Sequence, residues 1–129
     1  MSEESVGLVR RAYEAWNEHG PEAIASMLAG DIELHDAPQL PDAETWCGRP
    51  AVLERLRAVA AAMGGGTVEF EDIRASGEEV LVAMLWRLDR GAADVELGQV
   101  FHLVHVEEER IDRIRVFLTE SEARSASST

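Results

Sequence analysis

Asp36 is the side chain from which chemistry is most readily built in this sequence. It closes the run Gly30-Asp31-Ile32-Glu33-Leu34-His35-Asp36-Ala37-Pro38, whose alternation reads as a short strand. Ile32, Leu34 and Asp36 fall on one face, and Glu33 and His35 on the other. A carboxylate in line with two aliphatic side chains is either solvated at the strand's wet end or held out of water. In the second case its charged form is disfavoured, and it becomes a proton acceptor of use to catalysis. Pro38 cannot extend the strand and leaves Asp36 at its mouth. Both readings stay open on this stretch alone.

Other chemistries find less support. His102 and His105 are three residues apart, which on a strand sends them to opposite faces. His35 points away from Asp36 and His19 falls in a turn, so no metal site is expected. Cys47 has no Cys or His beside it and reads as a small loop side chain, not a nucleophile. No Gly-x-Ser-x-Gly turn supports a serine nucleophile. Gly64-Gly65-Gly66 lacks the downstream Lys and Ser/Thr of a phosphate loop and follows a helix, so it reads as a connector.

Composition narrows the partners. At 129 residues and 46% hydrophobic content the chain fits one domain with one core, spanning 1–123, followed by a flexible tail over 124–129. Twelve basic against twenty-five acidic side chains give a net charge of −13, which repels phosphate backbones and anionic lipid. Neither nucleic acid nor a membrane surface is expected as a partner. With a single cysteine no internal disulfide can form, and the N-terminus has no basic segment followed by an apolar run, so the cytoplasm is the expected compartment.

The candidates need elements to position them. Val6, Val9, Tyr13 and Trp16 recur at helical steps and predict an amphipathic helix over 3–19, closed by Gly20 and Pro21. A short second helix buries Ile24, Met27 and Leu28 before the strand that carries Asp36. Residues 37–48 hold two prolines and Trp46 and read as a loop able to act as a lid. Pro50 then opens a third helix whose stripe is Val52, Leu53, Leu56, Ala60 and Met63. The second half changes to a period of two, with strands starting near Val68, over 80–89, over 94–106 and over 110–118. Arg113 and Arg115 share a face of the last strand with Ile111 and Phe117, and the Ser/Ala-rich end frays from Ser121.

Two of these strands are apolar on both faces. Val80, Val82, Met84 and Trp86 alternate with Leu81, Ala83 and Leu85, while Phe101 and Leu103 alternate with Val100, His102 and Val104. Three helices cover one face, so the other is expected to pair with a second copy or to be buried by tight curling of the sheet.

Tyr13-Glu14-Ala15-Trp16-Asn17, Pro21-Glu22-Ala23-Ile24, Asp31-Ile32-Glu33-Leu34, Trp46-Cys47-Gly48-Arg49-Pro50 and Arg110-Ile111-Asp112-Arg113-Ile114-Arg115-Val116-Phe117 carry a resemblance over nearly the whole chain. In this order they resemble the nuclear transport factor 2-like superfamily, in its SnoaL-like branch of polyketide cyclase and ketosteroid isomerase relatives. The resemblance implies an α+β cone, a curved antiparallel sheet wrapped around about three N-terminal helices (a cystatin-like α+β roll). It further implies an apolar pocket at one end and a homodimer through the outer face of the sheet. Ketosteroid isomerases use a general-base Asp and an oxyanion hole of Tyr and protonated Asp. Asp36 falls at the base and His102 at the oxyanion Asp, where an imidazole can also donate to a developing oxyanion. The oxyanion Tyr falls on Ala12, with Tyr13 about 100° further round the helix. Tyr13, Trp16, Trp46 and Trp86 are therefore read as walls of the pocket. The function this implies is cofactor-independent acid/base chemistry, isomerisation or aldol-type cyclisation, on an apolar, carbonyl-bearing small molecule. The alternative is a ligand-binding or assembly module of the same fold with no chemistry.

Overall fold

The structure, a computed structural model, describes residues 2–40, 43–62, 67–90 and 93–127. Helix α1 (Ser2–His19) buries Leu8, Val9, Ala12 and Tyr13, with Val6 and Trp16 half-buried against the same core. Gly20 ends it at φ 88, a conformation open to a residue without Cβ, and donates its N–H to the Trp16 carbonyl. Pro21 then starts a 3-10 helix, Pro21–Met27, that buries Ile24. Strand β1 (Leu28–His35) follows, with Ile32 and Leu34 buried and Glu33 exposed, so the alternation expected around Asp36 is present.

The stretch expected as a loop contains a short strand. Thr45–Cys47 (β2) pairs antiparallel with β1 and sets Trp46 opposite Leu34. Pro41 and Asp42 lie outside the described residues. Helix α2 (Arg49–Ala62) begins after Gly48, whose carbonyl accepts the Val52 N–H, and buries Val52, Leu53 and Leu56. Met63 and the three glycines after it are outside the described residues.

Strands β3 (Thr67–Ser76), β4 (Glu79–Arg90), β5 (Ala93–Glu107) and β6 (Arg110–Phe117) complete one six-stranded sheet in the order β2-β1-β6-β5-β4-β3. The sheet is mixed, not purely antiparallel: β1 and β6 run parallel, with Leu34 opposite Ile114. The meander returns the last strand to the side of the first, travelling in the same direction. Register shifts within the β3–β4, β4–β5 and β5–β6 pairs curve the sheet around α1 and α2, and the two edges, β2 and β3, stay open. The last of these shifts leaves Asp112 as the extra residue between Ile111 and Arg113. That turns Ile111 into the main core, away from the face it was expected to share with Arg113, Arg115 and Phe117.

Residues 121–127, expected to fray, lie in a helix. Thr119 caps helix α3 (Glu120–Ser127), accepting the Glu122 N–H at 3.2 Å, and Ser127 Oγ accepts a bond from Ser76 Oγ. A helix this short is marginal alone, so it depends on what it covers. Ala123 is fully buried with Leu81, Phe101 and Leu103, while Phe117 and Ala126 pack alongside. Part of the outer face is therefore covered by the chain's own C-terminus. No helix among the described residues is long and apolar enough to cross a membrane.

Candidate active site

The concave face of the sheet and the helices enclose a cavity of about 420 Å³. Its walls are mostly apolar: Trp16 from α1, Leu56 and Val59 from α2, Met84 and Trp86 from β4, Val100 from β5 and Ile114 and Val116 from β6. Besides Gln99, the polar side chains in this lining gather around Asp36 and around His102.

Asp36 stands one residue past the end of β1, on the face of Ile32 and Leu34, and its side chain is 5% exposed. Its burial is compensated by donors. Oδ2 accepts from Trp46 Nε1 at 3.0 Å, Arg55 Nη2 at 3.0 Å and the Glu44 backbone N–H at 3.2 Å. Oδ1 receives a long contact of 3.4 Å from Arg55 Nε. Arg55 in turn lies over the Trp46 ring, 5.3 Å from its centroid, so Asp36, Arg55 and Trp46 form one packed group. The Asp36 N–H is tied to the Glu44 carbonyl, which fixes the backbone at the same point.

His102 sits on the inner face of β5 opposite Val82 and Val116, and its Nδ1 is 2.8 Å from the Tyr13 hydroxyl. The two rings meet edge-on at 5.7 Å, and Phe70 packs edge-on against Tyr13 from the other side at 6.0 Å. Burial pushes the His102 pKa down to about 4 and raises that of Tyr13, so at neutral pH the pair holds a neutral imidazole and an intact phenol. Two protons are then shared between them, one on the phenol and one on the ring. One proton makes the mutual hydrogen bond, and the other remains to be donated, from His102 Nε2 or from the phenol according to the tautomer. Such a donor in an apolar chamber is suited to a carbonyl oxygen on which negative charge develops.

Of the residues expected at the site, Asp36, His102, Tyr13, Trp16 and Trp86 line this one cavity. The structure sets Tyr13 in the cavity wall, whereas Ala12, on which the oxyanion Tyr was expected to fall, does not line it. Ala12 is fully buried, whereas Tyr13 reaches His102. Trp46, expected as a wall, stands behind Asp36 and touches it through the indole N–H. Arg55 was not anticipated, although a signal exists. It falls three residues after Val52 and four before Val59, on the apolar side of α2, which is the same anomaly that singled out Asp36.

Away from the cavity lining, His105, Glu107 and Asp112 present ligand atoms within 4.8 Å of one another. His105 and Asp112 already pair at 2.6 Å, a contact made by the extra residue in β6 and not foreseeable from histidine spacing.

Comparison with known proteins bears on this geometry. Residues 9–114 match the model of the SnoaL-like domain. No curated protein matches the chain by sequence. Among solved structures, Bal32a from a soil-derived mobile gene cassette superposes with a TM-score of 0.76 at 16% identity, covering 95% of this chain and 94% of that one. A candidate ketosteroid isomerase from Kribbella flavida DSM 17836 gives 0.73 at 21% identity over 92% and 80% of the two chains. An LEH-like epoxide hydrolase from M. tuberculosis gives 0.69 at 19%, over 98% and 90%. At such identities the similarity establishes the fold.

Proposed function

The chain belongs to the SnoaL-like domain family, and from that premise we propose that it is a cofactor-independent acid/base enzyme acting on an apolar, carbonyl-bearing small molecule. The observation that carries this reading is the meeting of a buried carboxylate and a neutral Tyr–His donor pair in one apolar cavity. In the proposed step Asp36 takes a proton from the carbon next to the carbonyl. The C–H electron pair moves into the new C=C bond, and the carbonyl electrons move to oxygen, which the Tyr13–His102 pair stabilises. Return of the proton to another carbon gives isomerisation, and attack of the enolate on a second carbonyl gives aldol-type cyclisation.

One observation favours a second reading, a binding module with no chemistry: Asp36 is already ion-paired with Arg55 and engaged by two further donors. Exchange of the α-protons of 2-tetralone in D2O, followed by proton NMR, separates the two. The enzyme reading expects exchange that Asp36→Asn lowers by about 10²- to 10⁴-fold. Wild-type exchange no faster than that of buffer alone would assign the protein to the module, and catalysed exchange unchanged in Asp36→Asn would remove Asp36 from the base role.

A further inference from the structure

The two oxygens of Asp36 are not equivalent. Oδ2 has three donors within 3.2 Å, more than its two lone pairs can serve with good geometry. Oδ1 has one contact among the described residues, at a length where a hydrogen bond is weak. The three donors of Oδ2 come from different places: a backbone N–H just before β2, an indole on β2 and a guanidinium on α2. They hold that oxygen from several directions and set the rotation of the carboxylate. We propose that Trp46 is a positioning residue for proton transfer, which with the Glu44 N–H anchors Oδ2 and so leaves Oδ1 as the oxygen that takes the substrate proton. This rests on the acid/base reading above.

The chemistry follows from that asymmetry. A proton arriving at Oδ2 would have to displace a donor at normal hydrogen-bond distance, whereas one arriving at Oδ1 replaces only the long Arg55 contact. The α-C–H bond breaks, the new O–H bond forms on Oδ1, and Oδ2 keeps Trp46 and the Glu44 N–H throughout. Trp46 touches neither the cavity nor the reacting atoms, so its effect runs through the angle at which Oδ1 is presented. Small errors in that angle weigh on the chemical step, because displacements of about 1 Å can cost on the order of 10² in rate.

The test uses Trp46→Phe in the full chain, which removes the N–H and keeps a ring beneath Arg55. With 2-tetralone in D2O we expect the exchange rate at saturating ketone to fall on the order of tenfold or more, with KM within about twofold. An unchanged rate in Trp46→Phe, while Asp36→Asn is dead, overturns the positioning role and leaves the acid/base reading standing. A parallel loss of KM, rate and melting temperature makes Trp46 a merely structural residue and also overturns it. A second readout needs no turnover. In Asp36→Asn the three donors force the amide oxygen into the place of Oδ2, so the Trp46 indole N–H resonance should keep its hydrogen-bonded chemical shift. A move to the shift of a free indole overturns the anchoring. If the wild type does not exchange 2-tetralone although line broadening shows it bound, the acid/base reading falls and this inference with it.

Discussion

Among the described residues two buried carboxylates are held by arginine, and only one of them faces the cavity. Asp36 meets Arg55 together with two neutral N–H donors on the concave side of the sheet. Glu79, 9% exposed, is clamped on the convex side by Arg115 Nη2 at 2.6 Å and Arg113 Nη2 at 3.2 Å. The Nε atoms of both arginines are buried without a partner. Glu79 thus joins β4 to β6 across β5 and does not line the cavity. Asp36 shares its chamber with a neutral imidazole and a phenol. A buried ion pair is therefore no mark of function by itself. What distinguishes Asp36 is its place in the wall of the cavity, with a donor pair lining the same space.

Substitutions sharpen or break that contrast. Asp36→Asn has the largest expected effect, the 10²- to 10⁴-fold loss of exchange given above. Tyr13→Phe and His102→Gln each remove part of the donor pair and should lower the exchange rate at saturation by about 10²-fold, read by the same NMR assay; full activity in both would detach the pair from the chemistry.

The third expectation concerns pH. His102 is protonated near pH 6.5 in an unfolded chain and, by burial, only near pH 4 in the folded one. Between those values the unfolded state binds more protons, so stability falls as pH is lowered through that window. Urea titrations at pH 7 and pH 4.5 should show wild type losing roughly 2 to 3 kcal/mol more than His102→Gln does; parallel losses would mean that His102 is not desolvated.

Glu79→Gln comes next, costing about 1 to 2 kcal/mol because the arginines remain partly hydrated. It should leave the exchange rate of the folded protein untouched, and a lost rate would show that the two carboxylates are coupled. Thr119→Ala, which removes the cap of α3, should cost about 1 kcal/mol and promote self-association as Leu81, Phe101 and Leu103 lose cover. Size-exclusion chromatography checks the association, and an elution volume unchanged from wild type with lowered stability would show that the patch stays closed without the cap.

How much of this could be read from the residues depended on whether a signal was periodic. The parity of Ile32, Leu34 and Asp36 put the carboxylate on the core side, because a strand leaves no third choice. Helices are less forgiving: the steps of α1 put Tyr13 on the buried stripe but gave no sign that its hydroxyl reaches His102. Arg55 escaped notice because a lone arginine in a helix is ordinarily a solvated one, although Val52, Leu56 and Val59 frame it. The Thr119-Glu120-Ser121-Glu122 run held a capping signal for α3, but Ser and Ala bury little until the outer face of the sheet exists to receive them. The parallel pairing of β1 with β6 left no local trace at all.

That pairing governs the order of assembly. Leu34 and His35 lie beside Ile114 and Arg115, some eighty positions further along the polypeptide, and the strand that presents Asp36 has no partner on that side until β6 has been made. Loop closure over such a span comes late in folding and slows it. During synthesis on the ribosome, the bare flank of β1 waits for the final quarter of the chain, an interval in which its hydrogen-bonding groups are available to neighbouring nascent chains or to chaperones.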